Sequence, residues 1–90
     1  MPDSTETFEI NGHTLTVDTD ARDSWELFDL MCEVGTEFGP SKMGIAFRIV
    51  EACTGVGKDE FVAMCGGKGV HRDVVLESLS AALAAILPKN

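Results

Sequence analysis

Between residues 1 and 39 the chain has only one basic side chain, Arg22, against ten acids. That half carries −9. Residues 40–90 hold five acids and six bases, or +1, which together give the chain's −8. Backbone binding to nucleic acid needs clustered Lys and Arg, so the N-terminal half is excluded from it. A basic or neutral protein partner suits the charge better, although an acidic surface also serves simply to keep a chain dispersed. Cysteine is scarce as well. Cys32, Cys53 and Cys65 are odd in number and show no CxxC spacing, which excludes a disulfide framework. They fall on apolar helix stripes and are expected to be reduced core residues. No apolar run follows the acidic N-terminus, so no secretion signal is expected. The longest apolar stretch, near residues 81–87, is far too short to span a bilayer. By elimination the expected location is the cytoplasm. Repeats and low-complexity tracts are also missing.

What is present is one domain's worth of chain. Ninety residues, 44% of them hydrophobic, are enough for a single modest core and leave little volume for an enclosed site. Residues 1–7 read as a tail and residues 8–90 as a single α+β domain. In Phe8-Glu-Ile-Asn-Gly-His-Thr-Leu-Thr-Val17, Asn11-Gly12 sits between two alternating segments, a strong hairpin signal. A two-residue loop pairs Ile10 with His13 and Phe8 with Leu15. That register puts Phe8, Ile10, Leu15 and Val17 on one face, with Glu9, Thr14 and Thr16 on the other. A lone hairpin is not stable in water, so its apolar face must lie on helices.

About four helices follow. The first is expected over Arg22–Val34, capped by Asp20 or Asp23 and ended by Gly35. At about 100° per residue, Glu26, Asp29 and Glu33 form one stripe, and apolar residues from Trp25 to Val34 take most of the rest. The second runs from Ser41, its expected cap, to Thr54, with Arg48 and Glu51 outward. A short third covers Lys58–Cys65. The last runs from His71 to Leu87 and is stopped by Pro88, with Val70 and Val75 placed as a hydrophobic staple. Val75, Leu76, Leu79, Leu83, Ile86 and Leu87 share its main apolar arc. Val74, Ala81 and Ala85 form a second, smoother face. The predicted architecture is a β-hairpin packed on a small helical bundle.

No segment carries a catalytic signature. Thr54-Gly-Val-Gly-Lys58 resembles part of a phosphate loop, but that motif needs two further residues. Ala52 stands where it needs glycine, and Asp59 stands where it needs a hydroxyl. Gly66-Gly-Lys-Gly69 would make an anion nest, but a plain turn explains it equally well. The spacings of Cys32, Cys53, Cys65, His13 and His71 match no zinc pattern. No local Cys–His or Ser–His arrangement points to a nucleophile. The Glu26/Asp29/Glu33 stripe reads as a solvated helix face rather than an acid–base pair. The expectation is therefore a binding domain without enzymatic activity, cofactor or metal. Its surplus of apolar helix surface is more than a 90-residue core readily covers.

The order of these segments resembles the tail assembly chaperones of long-tailed bacteriophages and prophages. The stretch from Phe8 to Asp18 is similar to that family's opening hairpin motif. Trp25-Glu-Leu-Phe-Asp-Leu-Met31 is similar to its first helix, and Phe47-Arg-Ile-Val-Glu-Ala-Cys53 to its second. Lys58-Asp-Glu-Phe61 resembles its short acidic helix, and Gly69-Val-His-Arg-Asp-Val-Val-Leu-Glu77 the glycine-led start of its last one. The chain departs from the pattern in its glycine-rich turns at 55–57 and 66–69 and in its Ala-rich C-terminus. The resemblance implies a chaperone that binds the tape measure protein and brings it to the tail tube protein in the bacterial host. It also implies self-association into a homo-oligomer and a longer, frameshifted form, for which Lys89-Asn90 is a candidate slip position. Glu26, Asp29, Glu33, Val74, Ala81 and Ala85 are the expected partner-binding residues. A different class also fits the charge: a small acidic inhibitor or nucleic-acid mimic that occupies a basic groove.

Overall fold

The fold was analysed in a computed structural model, which describes residues 5–35 and 38–87. It has the expected α+β architecture: an antiparallel hairpin, β1 (Thr5–Ile10) and β2 (His13–Asp18), followed by helices. The register is the predicted one, with Ile10 opposite His13 and Phe8 opposite Leu15. Both turn residues adopt positive φ, Asn11 at 50° and Gly12 at 84°. This is the backbone that a two-residue hairpin loop of matching twist requires. Ile10, Leu15 and Val17 are buried, and Phe8 packs at the margin of the same core.

The strand starts earlier than the predicted tail allows. Thr5, Glu6 and Thr7 pair with Asp18, Val17 and Thr16. These three residues are polar and give no apolar alternation, so only backbone pairing reveals the extension. Arg22 secures it from the next element through an ion pair to Glu6 at 3.2 Å.

The predicted first helix is two helices, α1 (Thr19–Arg22) and α2 (Trp25–Val34). The chain breaks at Asp23-Ser24. Neither Asp20 nor Asp23 acts as the expected cap. Asp18 caps α1 by accepting from the N–H groups of Asp20 and Ala21. Ser24 caps α2 by accepting from the Leu27 N–H at 3.2 Å. Pro40–Lys42 form a 3-10 turn leading into α3 (Met43–Thr54), and Ser41 makes no cap bond. Gly55 ends α3 in the left-handed region, with φ 78°. This ending makes the phosphate-loop-like stretch an interhelical turn. After it come α4 (Lys58–Met64) and α5 (Arg72–Ile86). Pro88 and Lys89-Asn90, the expected helix stop and slip position, lie outside the described residues.

The core forms around α3. It packs against α2, α5, α1 and β2, and buries Ala46, Ile49, Val50 and Cys53. From α5 come Val75, Leu79, Ala82, Leu83 and Ile86, with Leu76 and Leu87 only half-buried. Relative to the predicted stripe, the buried face is turned toward Ser78 and Ala82. The hairpin tip accounts for this, because Asn11 bonds Ser78 across it. Phe61 of α4 is fully buried and meets Phe47 edge-on at 5.9 Å.

Candidate interaction surfaces

The broad apolar girths of α2 and α3 meet different fates. The girth of α3 is covered by neighbours on several sides. On α2 only Leu27 is fully buried, with Leu30, Met31 and Val34 packed at the margin of the core. Trp25 is left 73% exposed and Phe28 53%. Their rings lie 5.4 Å apart, tilted by 34°. An aromatic pair at this distance is mutually attractive, so it stands as one unit on the surface.

Helical geometry places the acids beside this pair. At about 100° per residue, Trp25, Phe28 and Cys32 fall within roughly 60° of one another. Asp29, Glu33 and Glu26 follow on the adjoining arc, and all three are exposed. None forms an ion pair with a described residue. The main-chain oxygen of Glu33, by contrast, accepts from Lys42 Nζ at 2.8 Å, which satisfies a carbonyl of the last turn. The outer half of α2 is therefore an aromatic strip bordered by three exposed carboxylates.

Cys32 belongs to this exposed strip, which corrects its expected place in the core. Only Cys53 is fully buried, and Cys65 is intermediate. Burial pushes the Cys53 thiol up from 9.0 to about 11, with Arg22 lowering it and Asp18 raising it to lesser degrees. A thiol held so far from ionisation is a poor nucleophile. His71 serves as the N-cap of α5: its Nδ1 accepts from the Asp73 N–H at 3.2 Å. His13 is exposed at the hairpin rim. Among the described residues no three His, Cys, Asp or Glu side chains gather where they would hold a metal ion. No helix there is long and apolar enough to cross a membrane.

The second predicted patch is on α5. Val74 is 39% exposed, Ala81 is exposed and Ala85 is half-buried. Val74 and Ala81 line a shallow depression of about 270 Å³ between α5 and the hairpin, together with Glu9, Asn11 and Glu77. This patch borders the packing of α5 on β1, whereas the α2 strip lies on the face of α2 turned away from its buried Leu27. The structure does not gather the six predicted residues into one surface.

One feature is not apparent from the residue pattern. A groove of about 450 Å³ opens between α3, α4 and the start of α5. Its floor is apolar, formed mainly by Phe47, Val62, Val70 and Val75. Val70 and Val75, the expected staple, thus flank one surface. The rim carries Lys58, Lys68 and Arg72, with Asp59 as the one acid. These three cations form no ion pair with described residues, unlike Arg22. The glycine cluster at 66–69 lets the loop turn and bring Lys68 to this rim: Gly66, Gly67 and Gly69 all have positive φ.

The chain matches no protein-family model, no curated protein and no solved structure.

Proposed function

We propose that this protein is a non-enzymatic binding module that captures an apolar partner helix, acting as a phage or prophage tail assembly chaperone in the cytoplasm of a bacterial host. The observation that carries the reading is the outer face of α2. An exposed Trp25–Phe28 pair stands beside Glu26, Asp29 and Glu33, none of them bonded within the described fold. Large exposed aromatics cost a lone protein hydration free energy and favour a partner. Aromatic anchors flanked by charge are the usual energetic centre of such contacts. The partner that fits is an amphipathic helix whose apolar stripe covers the ring pair and whose Lys or Arg flank meets the carboxylates. A tape measure protein, long and helical, supplies helices of this kind, and the resemblance of the sequence segments points to it.

The test uses Trp25, the only tryptophan of the chain. A long, helical tape measure protein from a long-tailed phage is titrated into the purified chain. Capture moves the Trp25 emission to shorter wavelength, and Phe28→Ala weakens it by about tenfold or more. Reversal of Glu26, Asp29 and Glu33 to Lys weakens it further at low salt, and unchanged affinity there removes the carboxylates from the site. A flat titration with no co-purification overturns the chaperone reading. Binding instead to basic nucleic-acid-binding proteins, lost steeply with salt, assigns the chain to the acidic inhibitors.

A further inference from the structure

We propose that the groove between α3, α4 and the start of α5 binds a free single-chain amphiphile, with its apolar body on the floor and one anionic head at the rim. The floor is built in advance. Met43, Phe47, Val62 and Val70 are half-buried, packed on the core from one side and lining the groove on the other. Phe47 stands edge-on against the fully buried Phe61, which holds its ring in place. Small-ligand sites are largely preformed concavities, mostly apolar, with a few polar groups that fix orientation. The groove's volume of about 450 Å³ falls within their usual range of about 300–1,000 Å³.

The rim selects the sign of the head. The chain has a net charge of −8 and seven basic residues, and three of the seven stand at this one edge. Arg22 is paired with Glu6, and Lys42 bonds a main-chain oxygen. Lys58, Lys68 and Arg72 are exposed and form no ion pair among the described residues. Three cations against Asp59 leave the lining at +2. Apolar walls focus such a local field, and an anionic head gains charge-assisted hydrogen bonds from ammonium and guanidinium groups. Larger occupants fit less well. A stable protein contact buries about 1,200–2,000 Å², of which a groove of this size supplies only part. An acidic partner would extend onto the exposed carboxylates of Glu60 and Asp73, next in sequence to the rim. An anionic bilayer repels a chain of this net charge, and a concave floor does not reach the acyl chains of an intact leaflet. The groove contains no residue of α2, so the site does not depend on the chaperone reading.

The probe is sodium octanoate, kept below its micelle concentration and titrated into the full chain while amide shifts are recorded by NMR. Saturable shifts are expected at Val62, Gly67, Lys68 and Val70, with Trp25 and Phe28 unmoved. Octanol and octylammonium share the apolar body and lack the negative head, so each should bind about tenfold more weakly or worse. Lys58→Glu/Lys68→Glu/Arg72→Glu should weaken octanoate by about tenfold or more and leave octanol unchanged. All three are surface charges, and circular dichroism checks that the variant folds. Ala63→Phe, at an exposed position of the lining, should fill the groove and block octanoate and octanol alike. Absence of a saturable shift overturns the inference. So do shifts centred on Trp25 and Phe28, which place the probe on α2. Equal affinity for octanoate and octanol, or octanoate binding that survives the charge reversal, removes the anionic head from the site and overturns it too. Capture of the chain by phosphatidylglycerol vesicles without a response to octanoate assigns the rim to a membrane surface instead.

Discussion

Asn11 Nδ2 donates to Ser78 Oγ at 3.2 Å, joining the hairpin tip to the middle of α5 across 67 residues of sequence. Asn11 has two tasks. Its φ of 50° opens the turn, and its amide fastens the turn to the bundle. Ser78 is the one buried polar residue among the described residues, and this bond satisfies it. Ser78→Ala is expected to lower stability by about 0.5–1.5 kcal/mol, the net worth of such a bond. Asn11→Gly keeps the turn and loses the same bond. A double-mutant cycle in urea should therefore show the two changes to be non-additive, with a coupling of about 1 kcal/mol. Additive losses remove the bond from the account.

The two aromatic residues of α2 and its buried leucine should respond in opposite ways. Leu27→Ala leaves a cavity in the core and is expected to cost about 2–5 kcal/mol. Trp25→Ala removes a larger side chain but an exposed one, and should stay within about 0.5 kcal/mol of wild type. Urea midpoints compare them directly. A costly Trp25→Ala would place the indole in the core and take it out of the binding face.

Ser24, not Asp20 or Asp23, is the residue on which the start of α2 depends. Ser24→Ala should cost about 0.5–2 kcal/mol, as losses of N-caps do. Asp20→Ala should be close to neutral by the same measurement. Thermal unfolding followed at the helix band settles the order.

The buried thiol predicts an alkaline weakness. Cys53 has its pKa raised by burial from 9.0 to about 11. Below pH 9 the thiol is neutral in both folded and unfolded chains, and its contribution is fully present. Between about pH 9 and 11 the unfolded chain releases the proton and the folded chain holds it, so stability falls as pH rises. The loss approaches about 3 kcal/mol above the folded value. Cys53→Ala should flatten this slope in urea titrations between pH 8 and 11. An unchanged slope assigns it to other groups.

The thiols also differ kinetically. Cys32 is exposed beside Phe28 on α2, whereas Cys53 is buried on the core side of α3. In native buffer an alkylating reagent should consume Cys32 first and reach Cys53 only on unfolding. Equal rates would mean that α3 opens far more readily than its packing indicates. Partner capture should slow the reaction at Cys32.

Much of this molecule was legible from local pattern. Asn11-Gly12 specified the turn, and the alternation on either side specified the register, because side chains in a strand repeat every two residues. Gly55 marked the end of α3, since few other residues accept a left-handed backbone. The carboxylate row on α2 followed from helical spacing alone. The break at Asp23-Ser24 was less visible. Three residues suited to helix starts, Asp20, Asp23 and Ser24, stand within five positions and left the choice of cap open. Only the path of the chain selected Ser24.

The residue order by itself determined the hairpin, the approximate reach of the later helices, and the uneven charge. These are effects of neighbours within one or two turns. Tertiary structure alone decided which apolar girth is core and which is surface. Helices α2 and α3 look alike in composition, yet α3 buries Ala46, Ile49, Val50 and Cys53 among several neighbouring elements, whereas α2 fully buries only Leu27. It also decided that Lys58, Lys68 and Arg72, spread over 15 residues of sequence, stand around one apolar groove. Burial and charge convergence depend on what lies across space from a residue, and a one-dimensional pattern carries no term for that.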